Sequence, residues 1–156
     1  MSRAGSSSEY PEVRMQRFFA FGLLAAALGA SLSVHAQAGE AVTVYQDPNC
    51  GCCHGWAEHM RAEGFDVREV PSSDMAAIKA RLGVPMELAS CHTARLESSG
   101  QVVEGHVPAS AVRKLLASKD TRGAAAPGMP LNSPGMGPMD GNLVTLDFDG
   151  RPFSRD

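Results

Sequence analysis

Three of the four cysteines in this chain lie within four consecutive positions. They are Cys50, Cys52 and Cys53, and the fourth cysteine, Cys91, follows much later in the 156 residues. A disulfide scaffold spaces its cysteines along the chain, because each bridge joins segments that are distant in sequence. The crowded arrangement is therefore atypical of a disulfide scaffold, and it places most of the sulfur in one short segment.

The composition is that of a globular protein of ordinary size. Hydrophobic residues make up 44% of the chain, charged residues 20% and aromatic residues 6%, which predicts a single folded domain. The net charge is −3, and the fourteen Lys and Arg residues are scattered among seventeen acidic ones. Recognition of nucleic acid needs a clustered excess of basic residues, so this function is set aside.

The N-terminal segment predicts export. An uncharged apolar run over residues 18–32 follows Arg14 and Arg17 and precedes a Val-x-Ala pattern that ends at residue 36. A charged start, a short apolar stretch and small residues at a cleavage point are typical of a secretory signal peptide. We therefore predict a signal peptide over residues 1–36, a mature domain over residues 37–156, a periplasmic location and no stable membrane insertion after cleavage. An uncleaved membrane anchor is the alternative.

The mature chain predicts an α/β fold. Alternating apolar patterns predict strands, and helical spacing with capping residues predicts helices, giving a β-α-β-α-β-β-α core with an added C-terminal strand. A loop rich in Pro, Gly and Met over residues 123–141 precedes that last strand. Together with a Cys-x-x-Cys frame at the start of the first helix, this order resembles the thioredoxin-like fold. The predicted elements are strands over 41–45, 65–70, 93–97, 101–106 and 142–148, and helices over 52–63, 75–82 and 109–117.

The predicted topology brings distant residues together. The first helix begins at the carboxyl end of the first strand; the third strand is expected to run antiparallel to the first, and the fourth antiparallel to the third. The third strand then begins, and the fourth ends, at the edge where the cysteines lie. We therefore expect Cys91 and His92, which precede the third strand, and His106, at the end of the fourth, to lie near residues 50–53.

The cysteine pattern favours a soft metal. A helix N-terminus stabilises thiolates, and Cys50 and Cys53 share a helix face, but a thioredoxin-type enzyme needs only two sulfurs. Thiolates select Cu(I), zinc or iron–sulfur clusters, and a dense set that can bridge several ions suits a small copper cluster better than tetrahedral zinc. Zinc and iron–sulfur remain as alternatives. Methionines of the loop, Met129, Met136 and Met139, are further thioether candidates.

Four stretches of the chain match, in order, the pattern of a known family. They are Cys50-Gly51-Cys52-Cys53-His54-Gly55-Trp56, Ser90-Cys91-His92-Thr93, Glu104-Gly105-His106-Val107-Pro108 and Pro127-Gly128-Met129-Pro130. With these stretches the chain resembles the CopG family of periplasmic copper-resistance proteins, over residues 42–148. The resemblance implies a thioredoxin-like fold that holds a multinuclear, cysteine-bridged copper site with a role in interconverting Cu(I) and Cu(II). It also implies that the four cysteines are the bridging ligands.

These inferences combine into one prediction with rivals. We expect a periplasmic copper-binding protein whose metal ligands are Cys50, Cys52, Cys53, Cys91, His92 and His106, and whose partners are copper ions and other copper-handling or electron-transfer proteins. His54 and His59, on the first helix, are not included in the ligand set. The alternatives are a thiol–disulfide oxidoreductase using Cys50 and Cys53, a passive copper chaperone, and two structural disulfides, Cys50–Cys53 and Cys52–Cys91.

Overall fold

The computed structural model describes residues 39–156, in which seven strands form one mixed sheet, three α-helices pack against it and a short 3-10 helix spans Met86–Leu88. The predicted signal peptide, residues 1–36, lies outside the described residues and stays a prediction. No helix within residues 39–156 has the length and apolar character needed to cross a membrane. The strands are β1 (Ala41–Gln46), β2 (Asp66–Pro71), β3 (His92–Leu96), β4 (Val102–Gly105), β5 (Gly123–Ala126), β6 (Val144–Asp147) and β7 (Pro152–Arg155), and the helices are α1 (Gly51–Ala62), α2 (Met75–Leu82) and α3 (Ala109–Ala117).

The strand order in the sheet is β2-β1-β3-β4-β5-β6-β7. The strand β1 pairs in parallel with β2 and antiparallel with β3, and β4 pairs antiparallel with β3. These directions are the ones expected from the element order, and the predicted α/β class is confirmed. The first seven elements are compatible with a thioredoxin-like core.

The two faces of the sheet carry different neighbours. Successive side chains of a strand point to opposite faces, and on β4 Val103 joins the larger apolar cluster while Val102 joins a smaller one. The larger cluster contains Trp56 and Met60 of α1 and Leu115 of α3, all with no exposed surface. Helices α1 and α3 therefore cover one face, and the segment that follows α2 contributes to the other.

Local signals explain where the helices begin and end. The carboxylate of Asp74 accepts a hydrogen bond from the backbone amide of Ala77 at 3.0 Å, which caps α2. Gly83 ends the same helix at φ 70°, a left-handed conformation that glycine adopts without strain. Helix α1 begins directly after Cys50, so the cysteine cluster lies on its first turn.

The expectation of an irregular loop over residues 123–141 is wrong for its first four residues. Gly123–Ala126 forms β5, which pairs in parallel with β4 and antiparallel with β6. Alanine and glycine have low strand propensity, so their sequence does not indicate a strand. The strand forms because all four residues are buried and their backbone groups need hydrogen-bond partners. A Cβ atom on Gly123 would lie 2.5 Å from the ring of Phe148, so only glycine fits there.

The C-terminus holds a second unexpected strand. We expected one strand after the Pro/Gly/Met-rich loop, and β6 fulfils that expectation. β7 adds an antiparallel partner to β6 and extends the sheet by one strand. Its four residues include Pro152 and Arg155 and lack the alternating apolar pattern that would have indicated it.

A buried ion pair joins α2 to β4. The ammonium of Lys79 lies 2.5 Å from the carboxylate of Glu104, and their side chains are only 8% and 0% exposed. The same carboxylate accepts hydrogen bonds from the hydroxyl of Thr93 at 2.7 Å and from the amide of Ser90 at 2.6 Å. Burial raises the pKa of Glu104, although these three partners all favour the charged form. The network ties the segment before β3 to the end of β4.

We expect Lys79→Met to lower the free energy of unfolding by about 3 to 5 kcal/mol, because it leaves the Glu104 carboxylate buried without its counter-charge. Urea unfolding of the protein checks this value. The control is Arg95→Met, which removes an exposed ion pair with Glu97 and is expected to cost less than about 1 kcal/mol. Equal losses in the free energy of unfolding of the two variants would show that the buried ion pair stabilises the fold no more than the exposed one.

Candidate metal centre

The first turn of α1 carries three cysteines in different states of exposure. Cys53 has no exposed surface, whereas Cys50 and Cys52 are partly exposed. Cys50 and Cys53 are joined by a disulfide, with their Cα atoms 5.3 Å apart. Cys52 and Cys91 are free thiols. Of the two disulfides considered from the sequence, one is therefore formed and the other is not.

The fourth cysteine reaches the other three through strand pairing. Because β3 runs antiparallel to β1, its first residue, His92, lies opposite Gln46 at the end of β1. Cys91 immediately precedes that position and so lies beside the start of α1. The sulfur atoms of all four cysteines lie within 4.8 Å of one another, and those of Cys50 and Cys52 are 3.5 Å apart.

Two imidazoles approach Cys91 from the strand side. The Nε2 atom of His106 lies 2.9 Å from the Cys91 sulfur, and the Nδ1 atom of His92 lies 3.6 Å from it. One ligand atom from each of these three residues falls within a 4.8 Å group. The Cys91 sulfur therefore belongs to two groups, one of four sulfurs and one of a sulfur and two imidazoles.

A backbone carbonyl determines which nitrogen of His106 carries its proton. The Nδ1 atom of His106 lies 2.6 Å from the carbonyl oxygen of Pro134, which can only accept a hydrogen bond. Nδ1 must therefore donate, and the lone pair of the neutral ring is at Nε2, facing Cys91. Burial lowers the pKa of His106, so the ring favours the neutral form. A histidine that ligates a metal commonly has its other ring nitrogen held in this way.

His92 is a buried imidazole with a free nitrogen. Its ring lies 4.5 Å from that of Trp56 and 4.9 Å from that of His106, measured between centroids, and it has no exposed surface. Its Nε2 atom is without a hydrogen-bond partner among the described residues. Burial lowers the pKa of His92 well below its usual value, with smaller contributions from His106 and Lys79. An unpartnered buried nitrogen is costly, and this one is not the nitrogen that lies beside the Cys91 sulfur, which is Nδ1.

The thiol of Cys91 holds its proton more tightly than usual. Burial raises its pKa to about 11, and the neighbouring Cys52 adds to this effect. A metal that binds this sulfur must therefore displace a proton. The rise is the expected result of burying a thiol beside a second potential anion without a cation to offset the charge.

The Pro/Gly/Met-rich loop passes directly over the first turn of α1. A Cβ atom added to Gly135, at φ 82°, would lie 2.6 Å from both the Cys52 carbonyl oxygen and the Trp56 amide nitrogen. Only glycine permits this approach. Met136 is half-buried, while Met129 and Met139 are 58% and 42% exposed. Direct contact of these thioethers with a metal stays a prediction.

The other two histidines of α1 have protein partners. His54 bonds through Nδ1 to the carboxylate of Glu69, which also accepts from Gln46 at 2.7 Å and Arg61 at 2.8 Å. The Nε2 atom of His59 accepts a hydrogen bond from the backbone amide of Ala109 at 3.3 Å. Neither residue belongs to the two groups of candidate metal ligands.

The donor set suits a soft metal ion. Thiolates favour Cu(I), and imidazoles bind both Cu(I) and Cu(II). The disulfide between Cys50 and Cys53 leaves two thiols for coordination, and its reduction would supply four. The residues present therefore fit copper, with a capacity that depends on the state of this disulfide.

Two supporting features were not foreseen from the sequence. The Lys79–Glu104 pair was detectable in principle, because Glu104 interrupts the apolar run of β4 and Lys79 lies four residues after Met75, on the apolar side of α2. No sequence pattern indicates the contact between the Pro134 carbonyl and His106, since every residue has a backbone carbonyl. Only the tertiary structure places this one against the ring.

Two solved structures and one family model match this chain. Two solved structures, forms 1 and 2 of a protein titled copper resistance protein copG, each share 43% sequence identity with this chain. Each match has a TM-score of 0.66 and covers 76% of this chain and 98% of the other. The family model of a protein of unknown function, DUF411, matches residues 88–136, which include Cys91, His92 and His106. No curated protein matches this sequence.

We expect His106 in the metal-free protein with the Cys50–Cys53 disulfide closed to be mostly neutral at about pH 7.5 with its proton on Nδ1, because burial lowers its pKa below the usual imidazole value and Pro134 accepts that proton. Long-range ¹H–¹⁵N NMR correlations of the imidazole ring distinguish the two neutral tautomers and the charged form. A proton on Nε2, or a charged ring at this pH, would contradict the described geometry.

Proposed function

This chain belongs to the CopG family of copper resistance proteins, and from that membership we propose that it is a periplasmic copper-binding protein that holds Cu(I) in a cysteine-bridged cluster. The proposed ligands are the sulfurs of Cys50, Cys52, Cys53 and Cys91, with the imidazoles of His92 and His106. The predicted signal peptide over residues 1–36 would deliver the chain to the periplasm.

The observation that carries the proposal is the convergence of four sulfurs from two separate elements. Three come from the first turn of α1, and Cys91 comes from the segment before β3. The Cys91 sulfur lies in both candidate groups, which is the position a bridging ligand would occupy. Thiolates that bridge ions can hold more than one Cu(I) in a small volume.

Charge balance favours a cluster of monovalent ions. Four thiolates carry four negative charges, and the centre is partly buried. Up to four Cu(I) ions would offset them and leave the site near neutral, which lowers the cost of burial. The neutral imidazoles of His92 and His106 add donors without adding charge.

The same ligands support a change of copper valence. Thiolate sulfur stabilises Cu(I), while imidazole nitrogen also suits Cu(II). A centre that offers both donor types beside one shared sulfur can hold copper in either state. We propose that interconversion of Cu(I) and Cu(II) accompanies binding, and that the protein acts on copper as a substrate rather than as a resident cofactor.

A thiol–disulfide oxidoreductase is the second candidate, and the Cys50–Cys53 disulfide favours it. Cys50 is partly exposed and would accept attack, and buried Cys53 would resolve the mixed disulfide. This function needs neither Cys52, Cys91 nor the two imidazoles. Reduction of insulin by the metal-free dithiol protein tests it, and robust turnover that is retained in Cys52→Ser would favour this function over copper binding.

We expect Cys52→Ser to reduce the Cu(I) bound per chain to about half or less, because the third thiolate of α1 is lost from the bridging set. Metal analysis after anaerobic loading of the fully reduced protein gives the stoichiometry. A silent electron paramagnetic resonance spectrum that gains a Cu(II) signal on oxidation identifies the ion as Cu(I). Unchanged stoichiometry in Cys52→Ser would rule out the cluster.

Histidine variants on two elements give a matched comparison. His106→Gln removes the imidazole that faces Cys91, and we expect Cu(I) affinity to fall by about tenfold. His59→Gln makes the same change on α1, outside both ligand groups, and retains an oxygen that can accept the amide of Ala109. Competition with a Cu(I) chelator measures both affinities, and equal values would remove His106 from the ligand set.

A further inference from the structure

We infer that Cys50 and Cys53 form a two-electron store that reduces two Cu(II) ions to Cu(I) at this centre. The inference rests on the proposed copper function and adds the source of the electrons. It follows from the division of four neighbouring sulfurs into one linked pair and two free thiols.

The linked pair lies in direct reach of the candidate copper ligands. The Cys50 sulfur is 3.5 Å from the Cys52 sulfur, and all four sulfurs fall within 4.8 Å. Copper held by Cys52 or Cys91 would therefore lie within a few ångströms of the dithiol. No intervening residue is needed to carry an electron over such a distance.

The remaining ligands do not depend on the pair. With the disulfide closed, Cys52 and Cys91 are free, and Cys91 still faces His92 and His106. Imidazole donors accept Cu(II), so an incoming Cu(II) ion has ligands beside the dithiol that are not themselves consumed. Once the pair has given up its electrons, Cys52, Cys91 and the two imidazoles therefore remain as groups that can hold copper.

The choice of electron donors also follows from the chain. Cys52 and Cys53 are adjacent residues, and a disulfide between neighbours is strained. Cys50 and Cys53 are three residues apart on one helix turn, with Cα atoms at 5.3 Å, and are linked in the structure. This pair can therefore close and open without rearranging the strands that position Cys91.

The reaction balances within the site. Each of the Cys50 and Cys53 thiols gives up one proton and one electron, and a sulfur–sulfur bond forms between them. Each electron reduces one Cu(II) to Cu(I), so two ions are reduced for each disulfide formed, and two protons pass to the solvent. A dithiol reductant restores the pair by attacking the Cys50 sulfur, since Cys53 has no exposed surface, and is itself oxidised to a disulfide.

Closing the disulfide also changes the affinity of the centre. Two of the four thiolates leave the ligand set when the bond forms, so Cu(I) is held by fewer sulfurs after reduction than before it. The oxidised protein is therefore expected to release Cu(I) more readily than the dithiol form. Reduction of copper and its release are linked through the same two residues.

The test uses the fully reduced protein without oxygen. Two equivalents of Cu(II) are added per chain, Cu(I) is measured with a chromogenic Cu(I) chelator, and free thiols are alkylated for peptide mass spectrometry. We expect two Cu(I) ions for each Cys50–Cys53 disulfide, with Cys52 and Cys91 alkylated. In Cys50→Ser the initial rate of Cu(I) formation should fall by at least about tenfold. Zinc(II), which cannot be reduced, should produce no disulfide.

Direct loading with Cu(I) separates the two proposals. It requires no electron from the protein, so it tests the cluster alone and shows whether Cys50→Ser still folds and binds metal. If Cu(I) binds but Cu(II) forms no Cys50–Cys53 disulfide, or links Cys52 to Cys91 instead, the electron store is wrong and the cluster stands. If Cu(II) closes the Cys50–Cys53 disulfide but Cu(I) does not bind, the cluster is wrong and the electron store stands.

Discussion

The hydrogen-bonded pairing of β1 with β3 positions the whole candidate centre. Gln46 and His92 lie opposite each other at the edge where β1 ends and β3 begins. Helix α1 starts a few residues after Gln46, and Cys91 immediately precedes His92. A shift of this register would carry Cys91 away from the other cysteines, because neighbouring positions along a strand are about 3.3 Å apart. The sulfur cluster is thus a product of sheet geometry as much as of sequence spacing.

Successive side chains of β3 point to opposite faces of the sheet and contact different groups there. His92 faces α1 and packs against Trp56, while its neighbour Thr93 faces α2 and bonds to the buried Lys79–Glu104 pair. The larger apolar cluster and the imidazoles lie on one face, and the ion pair lies on the other with the smaller apolar cluster. The ion pair also holds the amide of Ser90, so the residue before Cys91 is anchored from the face opposite to the cysteines.

The centre combines groups whose charges conflict when no metal is present. Burial and the nearby Cys52 raise the pKa of Cys91, burial lowers the pKa values of both imidazoles, and one nitrogen of His92 has no partner within the described chain. Soft cations would relieve part of these costs, by offsetting thiolate charge and accepting the lone pairs of the imidazole nitrogens that lie beside Cys91. Closing the Cys50–Cys53 disulfide relieves part of the same conflict by a different route, since it removes two potential anions. Copper binding and thiol oxidation are therefore expected to compete for the same sulfurs.

The amino-acid sequence by itself determined the class of fold, the element order through α3 and the list of candidate ligands. It did so because alternation, capping residues such as Asp74 and Gly83, and the spacing of Cys50, Cys52 and Cys53 are local properties. It missed β5, since Gly123–Ala126 carries no strand pattern and pairs only because burial leaves its backbone no other partners. Only the tertiary structure decided which two cysteines are linked, which nitrogen of His106 faces Cys91, and that Lys79 meets Glu104. The last two are contacts between residues distant in sequence, whose geometry is set by how strands and helices pack, and the first depends on how the first turn of α1 places its side chains.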